Sequence, residues 1–282
     1  MKHLYSFSIG ISLTLLLSSC DKDGSDLSSP MSNTEESNVV DININNGLKY
    51  YFPFSGNTVE QVSNVTYNAY LKPVFYKDRF NKPNAALCMV NHDLAVDAGF
   101  QEAKGSLSFW VSVGDYHPLK ADDGTVASGA LFARVDGTDY IFSRGTYRLG
   151  IDYKGRIWTS CRNKWGVSPE EFSPVLAETP IKTAEKVIEL KKWYHIVVRW
   201  SDENETMEIF VNNKKELAAN YIENWGPWVP VRGDRAHMGS DRVPIGLGRS
   251  VFFWFQGVID EVRGYNRWIN NEEIATLYAD KS

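Results

Sequence analysis

The sequence predicts an all-β fold, a sandwich of two antiparallel sheets closed by one short C-terminal helix. Three observations carry the prediction. From about Asn45 onward, short runs rich in Val, Ile, Phe, Tyr and Trp alternate with Gly, Pro, Asn and Asp clusters, the pattern of strands joined by turns. Within those runs the apolar positions recur with a period of two, and helical spacing is confined to the last turns of the chain. The composition, 43% hydrophobic and 23% charged over 282 residues, is that of a chain able to bury a core, and a sandwich of this size need not divide into two domains.

Individual segments bear this out in turn. In SLSFWVSV, Leu107, Phe109, Val111 and Val113 share one face, while Ser106, Ser108, Trp110 and Ser112 share the other. In WYHIVVRW, Tyr194, Ile196, Val198 and Trp200 alternate with Trp193, His195, Val197 and Arg199, which makes His195 a sheet-face residue. In TMEIFVN, Met207, Ile209 and Val211 alternate with Glu208 and Phe210, and the pair Asn212-Asn213 supplies turn chemistry. In FQGVIDEVRGYNR, Ile259 and Val262 lie three apart, so both reach the core only if a β-bulge is inserted near Asp260-Glu261. The segment NEEIATLY is the helix. Asn270 is its expected cap, Glu273 completes a capping box, and Ile274, Leu277 and Tyr278 form the side that packs across one end of the sandwich.

The first residues, MKHLYSFSIGISLTLLLSSC, read as a secretory leader: Lys2 is followed by an apolar stretch too short to span a bilayer. Leu17-Ser18-Ser19-Cys20 resembles a bacterial lipobox, which implies cleavage before Cys20 and attachment of lipid to its thiol. The acidic, Ser-rich stretch after it has almost nothing to bury and is expected to be a tether. Asp21, Asp23 and Asp26 resemble the acidic signal that directs lipoproteins of Bacteroidetes-type bacteria to the outer face of the outer membrane. The expected organisation is a leader at 1–19, a lipidated cysteine and tether at 20–44, and one domain at 45–282, anchored at the bacterial outer membrane and exposed at the cell surface.

The strand blocks GLKYYFPFSGN, KDRFNKPNAAL, SLSFWV, KWYHIVVRW, MEIFVNNKKE, IGLGR and FQGVIDEVRGYNRWINNEEIATLY, in this order, resemble the laminin-G-like jelly rolls of the concanavalin A-like lectin/glucanase superfamily. The last block is the most specific, because the bulged strand, the Tyr-Asn-Arg turn and the helix come as one unit. The resemblance implies two curved antiparallel sheets packed face to face, with the N- and C-terminal segments paired. The chain departs from the family pattern at Cys88-Met89-Val90-Asn91, where a Phe-Asp-Gly type of turn is usual. Two long stretches between the blocks, Cys161 to Lys186 and Ala218 to Val243, hold Trp165, Trp225 and Trp228, and long loops on a rigid sandwich are where specificity is expected.

Catalytic patterns are mostly missing from the sequence. Glucanases of the resembled superfamily carry a Glu-x-Asp-x-x-Glu strand that projects two carboxylates from one face, and no such spacing occurs here. Asp260-Glu261 comes nearest, but neighbouring strand residues face opposite ways unless the bulge intervenes, and a carboxylate that ties the bulge is the plainer expectation. There is no His-Glu-x-x-His, Cys-x-x-Cys, Gly-x-Ser-x-Gly or phosphate-binding glycine loop. Calcium is a structural ion in related jelly rolls, and Asp260 is the expected ligand if one is held; no other cofactor is expected. Cys88 and Cys161 are read as buried thiols ahead of a bridge, although an exported protein permits one.

Nine Trp are the positive signal, because sugar rings stack on indole while their hydroxyls bond to nearby polar groups. The candidate ligand-binding set is Trp165, Trp225, Trp228 and Trp254, with Arg162, Asn163, Arg232, Asp234 and Asp241 as polar partners; anchoring of long loops is the competing role for any single Trp. Charge argues against a nucleic-acid partner, since 30 Lys+Arg face 35 Asp+Glu, a net of −5, without a basic run. The expected function is that of a cell-surface lipoprotein whose non-catalytic, lectin-like domain captures a polysaccharide or oligosaccharide. Two alternatives stand beside it: a protein-binding or adhesion module of the envelope with an outer-membrane protein partner, and a divergent glycoside hydrolase or polysaccharide lyase.

Overall fold

The computed structural model describes residues 42–69, 71–90, 93–96, 102–114, 130–134, 146–152, 154–162, 181–221, 236–246 and 249–280. At 134, 146, 160–162, 241–246 and 249–254 it describes the backbone alone. The chain divides into two units, Met1–Val40 and Asp41–Ser282, and every described residue belongs to the second.

Two eight-stranded sheets form the domain. The first runs β14(Lys214–Asn220), β13(Thr206–Val211), β12(Trp193–Ser201), β7(Lys104–Val113), β18(Gly257–Tyr265), β5(Ala86–Cys88) and β4(Phe75–Tyr76), with β1(Leu48–Phe52) also paired to β18. The second runs β11(Ile181–Lys182), β10(Ile157–Arg162), β9(Thr146–Ile151), β8(Ala130–Arg134), β15(Ala236–Met238) and β6(Leu94–Val96), joined by β16(Ser240–Gly246) and β17(Arg249–Trp254). A small hairpin, β2(Val59–Glu60) with β3(Val65–Thr66), completes the strands among the described residues. Pairing of β1 with β18 joins the two ends of the domain, as the resemblance implies.

The core lies between the sheets. Leu107, Phe109, Val111 and Val113 of β7 and Ile196, Val198 and Trp200 of β12 face Tyr147, Leu149 and Ile151 of β9 and Ile157 of β10, all within one buried cluster. Ring pairs cross the gap: Phe109 meets Phe132 at 5.0 Å between centroids, and Tyr147 meets Trp200 at 6.1 Å. Each aromatic so placed removes a large apolar area from water, which makes this layer the main source of stability. The indole N–H of Trp200 is not left unpaired; it donates to the Glu102 carbonyl at 2.9 Å.

Local chemistry explains the turns and the bulge. Asn212 and Asn213 take φ of 49° and 63°, the mirror-image turn that suits the twist of a two-residue hairpin between β13 and β14. Glu261 takes φ of 52°, and the register of β18 against β7 shifts between Asp260 and Arg263. This is the expected bulge, and it lets Ile259 and Val262 both reach the core. Asp260 Oδ1 accepts from the Glu261 N–H at 2.9 Å and so ties it.

The helix α1(Asn271–Ala279) has the expected capping box: Asn270 Oδ1 accepts from Glu273 N at 2.8 Å, and Asn270 N donates to Glu273 Oε2 at 2.7 Å. Its position corrects the sequence expectation. Rather than crossing one end of the sandwich, α1 lies on the outer face of the first sheet, where Ile274 and Leu277 pack with Val197, Phe210, Tyr265 and Ile269. Each such burial contributes about 1.5–3 kcal/mol. Ser106 and Ser108 of β7 face this helical layer and are buried, and Ser106 accepts from Ile269 N at 3.1 Å and donates to the Arg267 carbonyl at 2.8 Å. The two long inter-block stretches also need correcting, since β10 runs to Arg162 and β11 takes Ile181–Lys182 in the first, while in the second β14 runs on to Asn220 and β15 and β16 begin at Ala236 and Ser240.

Candidate functional site

The outer face of the second sheet carries the most site-like set of side chains among the described residues. Alternation builds it. In β9, Tyr147, Leu149 and Ile151 enter the core, which turns Arg148 and Gly150 outward; in β10, Ile157 enters the core and Trp158 turns outward. Register then assembles two outward rows. One places Ala95, His237, Ala133 and Arg148 side by side across β6, β15, β8 and β9. The other places Ala130, Gly150, Trp158 and Lys182 across β8, β9, β10 and β11.

Small residues make the floor. A Cβ at Gly150 would stand 2.6 Å from Trp158 Cζ2 and 2.7 Å from its Nε1, so the indole lies down on the sheet only because the position is glycine. Trp158 and Arg148 are buried, at 9% and 7% exposure. Trp158 Nε1 is buried without a hydrogen-bond partner among the described residues, an unusual state for an indole N–H. At the other end of the rows, His237 Nδ1 meets Asp93 Oδ2 at 2.8 Å, which orients the imidazole, while Asp93 Oδ1 is buried and unpartnered among the described residues. An aromatic plane, a guanidinium and a carboxylate-oriented imidazole over an Ala/Gly floor suit a ligand that offers both a flat apolar face and hydroxyls.

Most residues singled out from the sequence fall elsewhere. Cys20, Asn163, Trp165, Trp225, Trp228, Arg232 and Asp234 lie outside the described residues. Arg162, Asp241 and Trp254 are strand residues of the second sheet, where their backbones pair with Thr146, Phe253 and Ser240 respectively. The backbone of Trp254 also meets Ala130 in a parallel bridge. Trp158, Arg148, His237 and Asp93 were not foreseen. The available signal was the alternation of TYRLGI, which already puts Arg148 and Gly150 on the face opposite Tyr147 and Leu149.

Asp260, the expected calcium ligand, sits on the outer face of the first sheet and faces a cation instead. Arg79 Nη1 approaches its Oδ2 at 3.4 Å, and Arg79 itself is held between the rings of Phe80 and Trp110, at 4.4 and 4.5 Å. Glu261 turns to other partners, accepting from Tyr51 Oη at 2.7 Å and pairing with Arg263 at 2.9 Å. Burial, reinforced by the Glu261 carboxylate, pushes Asp260 up to about 8, against the pull of Arg79, so near neutrality Arg79 donates to a largely protonated acid. Among the described residues no three His, Cys, Asp or Glu side chains converge as a metal site. His195 is buried beside this network, with Nε2 2.8 Å from Ser108 Oγ, and burial followed by the charges of Arg263 and Arg79 pushes it down to about 3. Cys88 is a buried free thiol.

The family model described as concanavalin A-like lectin/glucanases superfamily, Laminin_G_3, matches residues 90–275. The chain belongs to this superfamily. Solved structures share the superfamily fold at low identity. Domain 4 of AbnA, an extracellular arabinanase from Geobacillus stearothermophilus in complex with arabinotriose, is 14% identical with a TM-score of 0.53, over 82% of this chain and 98% of that one. The binding domain of Paraclostridial Mosquitocidal Protein 1 is 14% identical with a TM-score of 0.56, over 84% of this chain and 52% of that one. The botulinum neurotoxin serotype D binding domain is 12% identical with a TM-score of 0.54, again over 84% and 52%. The chain thus spans about half the length of these two toxin domains. No sequence among the curated proteins matches the chain.

Proposed function

We propose that this chain is a non-catalytic carbohydrate-binding module, carried on a lipid anchor at Cys20 and serving glycan capture at the surface of a bacterial outer membrane. The observation that carries the binding reading is Trp158, laid on Gly150 with its N–H unpartnered among the described residues, on the outer sheet face that also carries Arg148 and the His237–Asp93 pair. Ligand sites of this kind combine an apolar surface with a few polar groups that fix orientation. The arabinanase domain of the same fold holds arabinotriose, which supports a sugar by fold analogy. A non-catalytic role is supported by Asp260 and Glu261 addressing separate partners within the sheet instead of a shared cleft. The anchor rests on Leu17-Ser18-Ser19-Cys20, and a tethered module raises the local concentration of captured glycan for neighbouring proteins.

Affinity electrophoresis of the chain in gels containing plant, algal and host polysaccharides tests this. Retardation by a glycan, lost in Trp158→Ala and weakened in Trp158→Phe and His237→Gln, supports this sheet face as the site. Retardation untouched by all three substitutions moves the site to another part of the chain. Absence of retardation throughout, with co-purification of an outer-membrane protein, replaces the reading by an adhesion module; release of new reducing ends or unsaturated sugars replaces it by an enzyme.

A further inference from the structure

Large apolar side chains are unevenly exposed on this domain. Of the eight that are exposed among the described residues, Leu71, Val74, Tyr76 and Phe80 fall within ten consecutive positions, at 48%, 44%, 57% and 48% exposure. Single exposed apolar residues need no explanation, but a local group of four does. Leu71 and Val74 lie in the segment that leads into β4, the edge strand of the first sheet, Tyr76 lies on β4 itself, and Phe80 on the turn that follows it. Alternation places Val74 and Tyr76 outward while Phe75 packs against the core.

The turn that presents Phe80 is rigid. Asp78, itself buried, accepts from Phe80 N at 2.8 Å and Lys82 N at 2.9 Å, and the Asp78 N–H donates to the Lys82 carbonyl at 3.1 Å. Next to it, Arg79 turns inward: Nη2 donates to the Asp280 carbonyl at 2.8 Å and the guanidinium lies between Phe80 and Trp110. Phe80 covers the buried guanidinium with one face of its ring and still leaves 48% of its surface to solvent.

Charge identifies the occupant. Lys72, Lys77 and Lys82 are exposed and interleaved with the apolar group, none has an ion-pair partner among the described residues, and the one acid between them, Asp78, is buried under its own turn. This is a positive strip on a chain of net charge −5. Aliphatic Leu71 and Val74 have no ring plane on which a sugar stacks, whereas apolar side chains among lysines are what an anionic membrane interface accepts, the apolar groups entering the headgroup layer and the ammonium groups meeting lipid phosphates. We infer that the edge of the first sheet from Leu71 to Lys82 is a docking surface for an anionic lipid bilayer. It lies on the opposite sheet from Trp158, so the domain can rest on a membrane through one sheet while the other takes its ligand.

Vesicle partitioning tests this, with the chain from position 20 onward carrying Cys20→Ser, so that neither the apolar leader nor an attached lipid binds the vesicle. Vesicles are phosphatidylcholine alone or with phosphatidylglycerol, and the parent is compared with Lys72→Gln/Lys77→Gln/Lys82→Gln and with Leu71→Ser/Tyr76→Ser/Phe80→Ser. All substituted side chains are exposed, and near-UV circular dichroism checks that each variant keeps its fold. Each lysine should contribute about fivefold, so the triple lysine variant should lose about a hundredfold in affinity for the anionic vesicles while its partitioning onto neutral vesicles stays that of the parent. The apolar variant should also lose binding to anionic vesicles. Both variants partitioning like the parent would overturn the inference. So would unchanged vesicle binding with loss of binding to polygalacturonate, which would make the strip a site for an acidic glycan.

Discussion

Asp260 and His195 neighbour each other across β7 and should impose opposite pH dependences on stability, so that either substitution unmasks the other. His195 has an ordinary value of 6.5 and is pushed down to about 3 in the folded domain by burial and the nearby arginines. Below pH 6.5 the unfolded chain takes up a proton that the folded chain refuses, and stability is lost at about 1.4 kcal/mol per pH unit as pH falls toward 3. Asp260 has an ordinary value of 3.8 and is pushed up to about 8, by burial first and by Glu261 second. Its contribution is complete below pH 3.8 and is lost at the same rate as pH rises toward 8, because the unfolded chain ionises first. Between pH 3.8 and 6.5 the two slopes cancel. Asp260→Asn copies the shape of the protonated acid without the titration, and the amide oxygen can still accept from Glu261 N. The stability of this variant relative to the parent should therefore increase by about 1.4 kcal/mol per unit from pH 4 to 8, about 5 kcal/mol in all. His195→Gln should gain on the parent by the same slope from pH 6.5 down to 4. Urea unfolding at intervals between pH 4 and 8 reads both differences, with an unchanged m-value confirming that only stability moved. A flat difference between Asp260→Asn and the parent across this range would show that Asp260 is ionised in the folded state at neutral pH, and the protonated-acid account of the Arg79 contact would be withdrawn.

Further outcomes follow from single contacts. Gly264→Ala would place a Cβ 2.0 Å from Tyr50 Cζ, so thermal unfolding should show a loss of about 1–3 kcal/mol or more, while the same change at exposed Gly56 is governed by its φ of 76° instead of by space. Asn270→Ala removes the acceptor for Glu273 N and should cost about 1 kcal/mol in chemical denaturation. Trp158→Phe keeps an aromatic plane over Gly150 and deletes the N–H, so glycan affinity measured by calorimetry should drop about 2–10-fold without loss of fold.

Much of the frame was legible before the structure. The alternation in β7, β12 and β13, the Asn212-Asn213 turn, the bulge between Ile259 and Val262 and the Asn270 capping box all depend on near neighbours in the chain, and the structure keeps each of them. The position of α1 was not legible. An amphipathic helix specifies which of its sides is buried, but only the apolar patch of Val197 and Phe210 on the outer face of the first sheet decides against what. The same covering buried Ser106 and Ser108 of a face that looked polar and gave each a hydrogen-bond partner.

The candidate site shows the division most clearly. Sequence reasoning favoured tryptophans between the strand blocks, because long loops are where specificity usually resides; it passed over Trp158, which looks like one more strand aromatic. Composition and spacing by themselves determined that this chain folds as a two-sheet sandwich, since a period of two and turn residues at short intervals are local properties that each segment carries alone. Tertiary structure decided that Arg148, Trp158, His237 and Asp93 share one face, that Gly150 makes room for the indole, and that Asp260 meets Arg79 from 181 positions away. Those relations are set by cross-strand register and by which layer covers each sheet, and both are settled only when distant segments pack together.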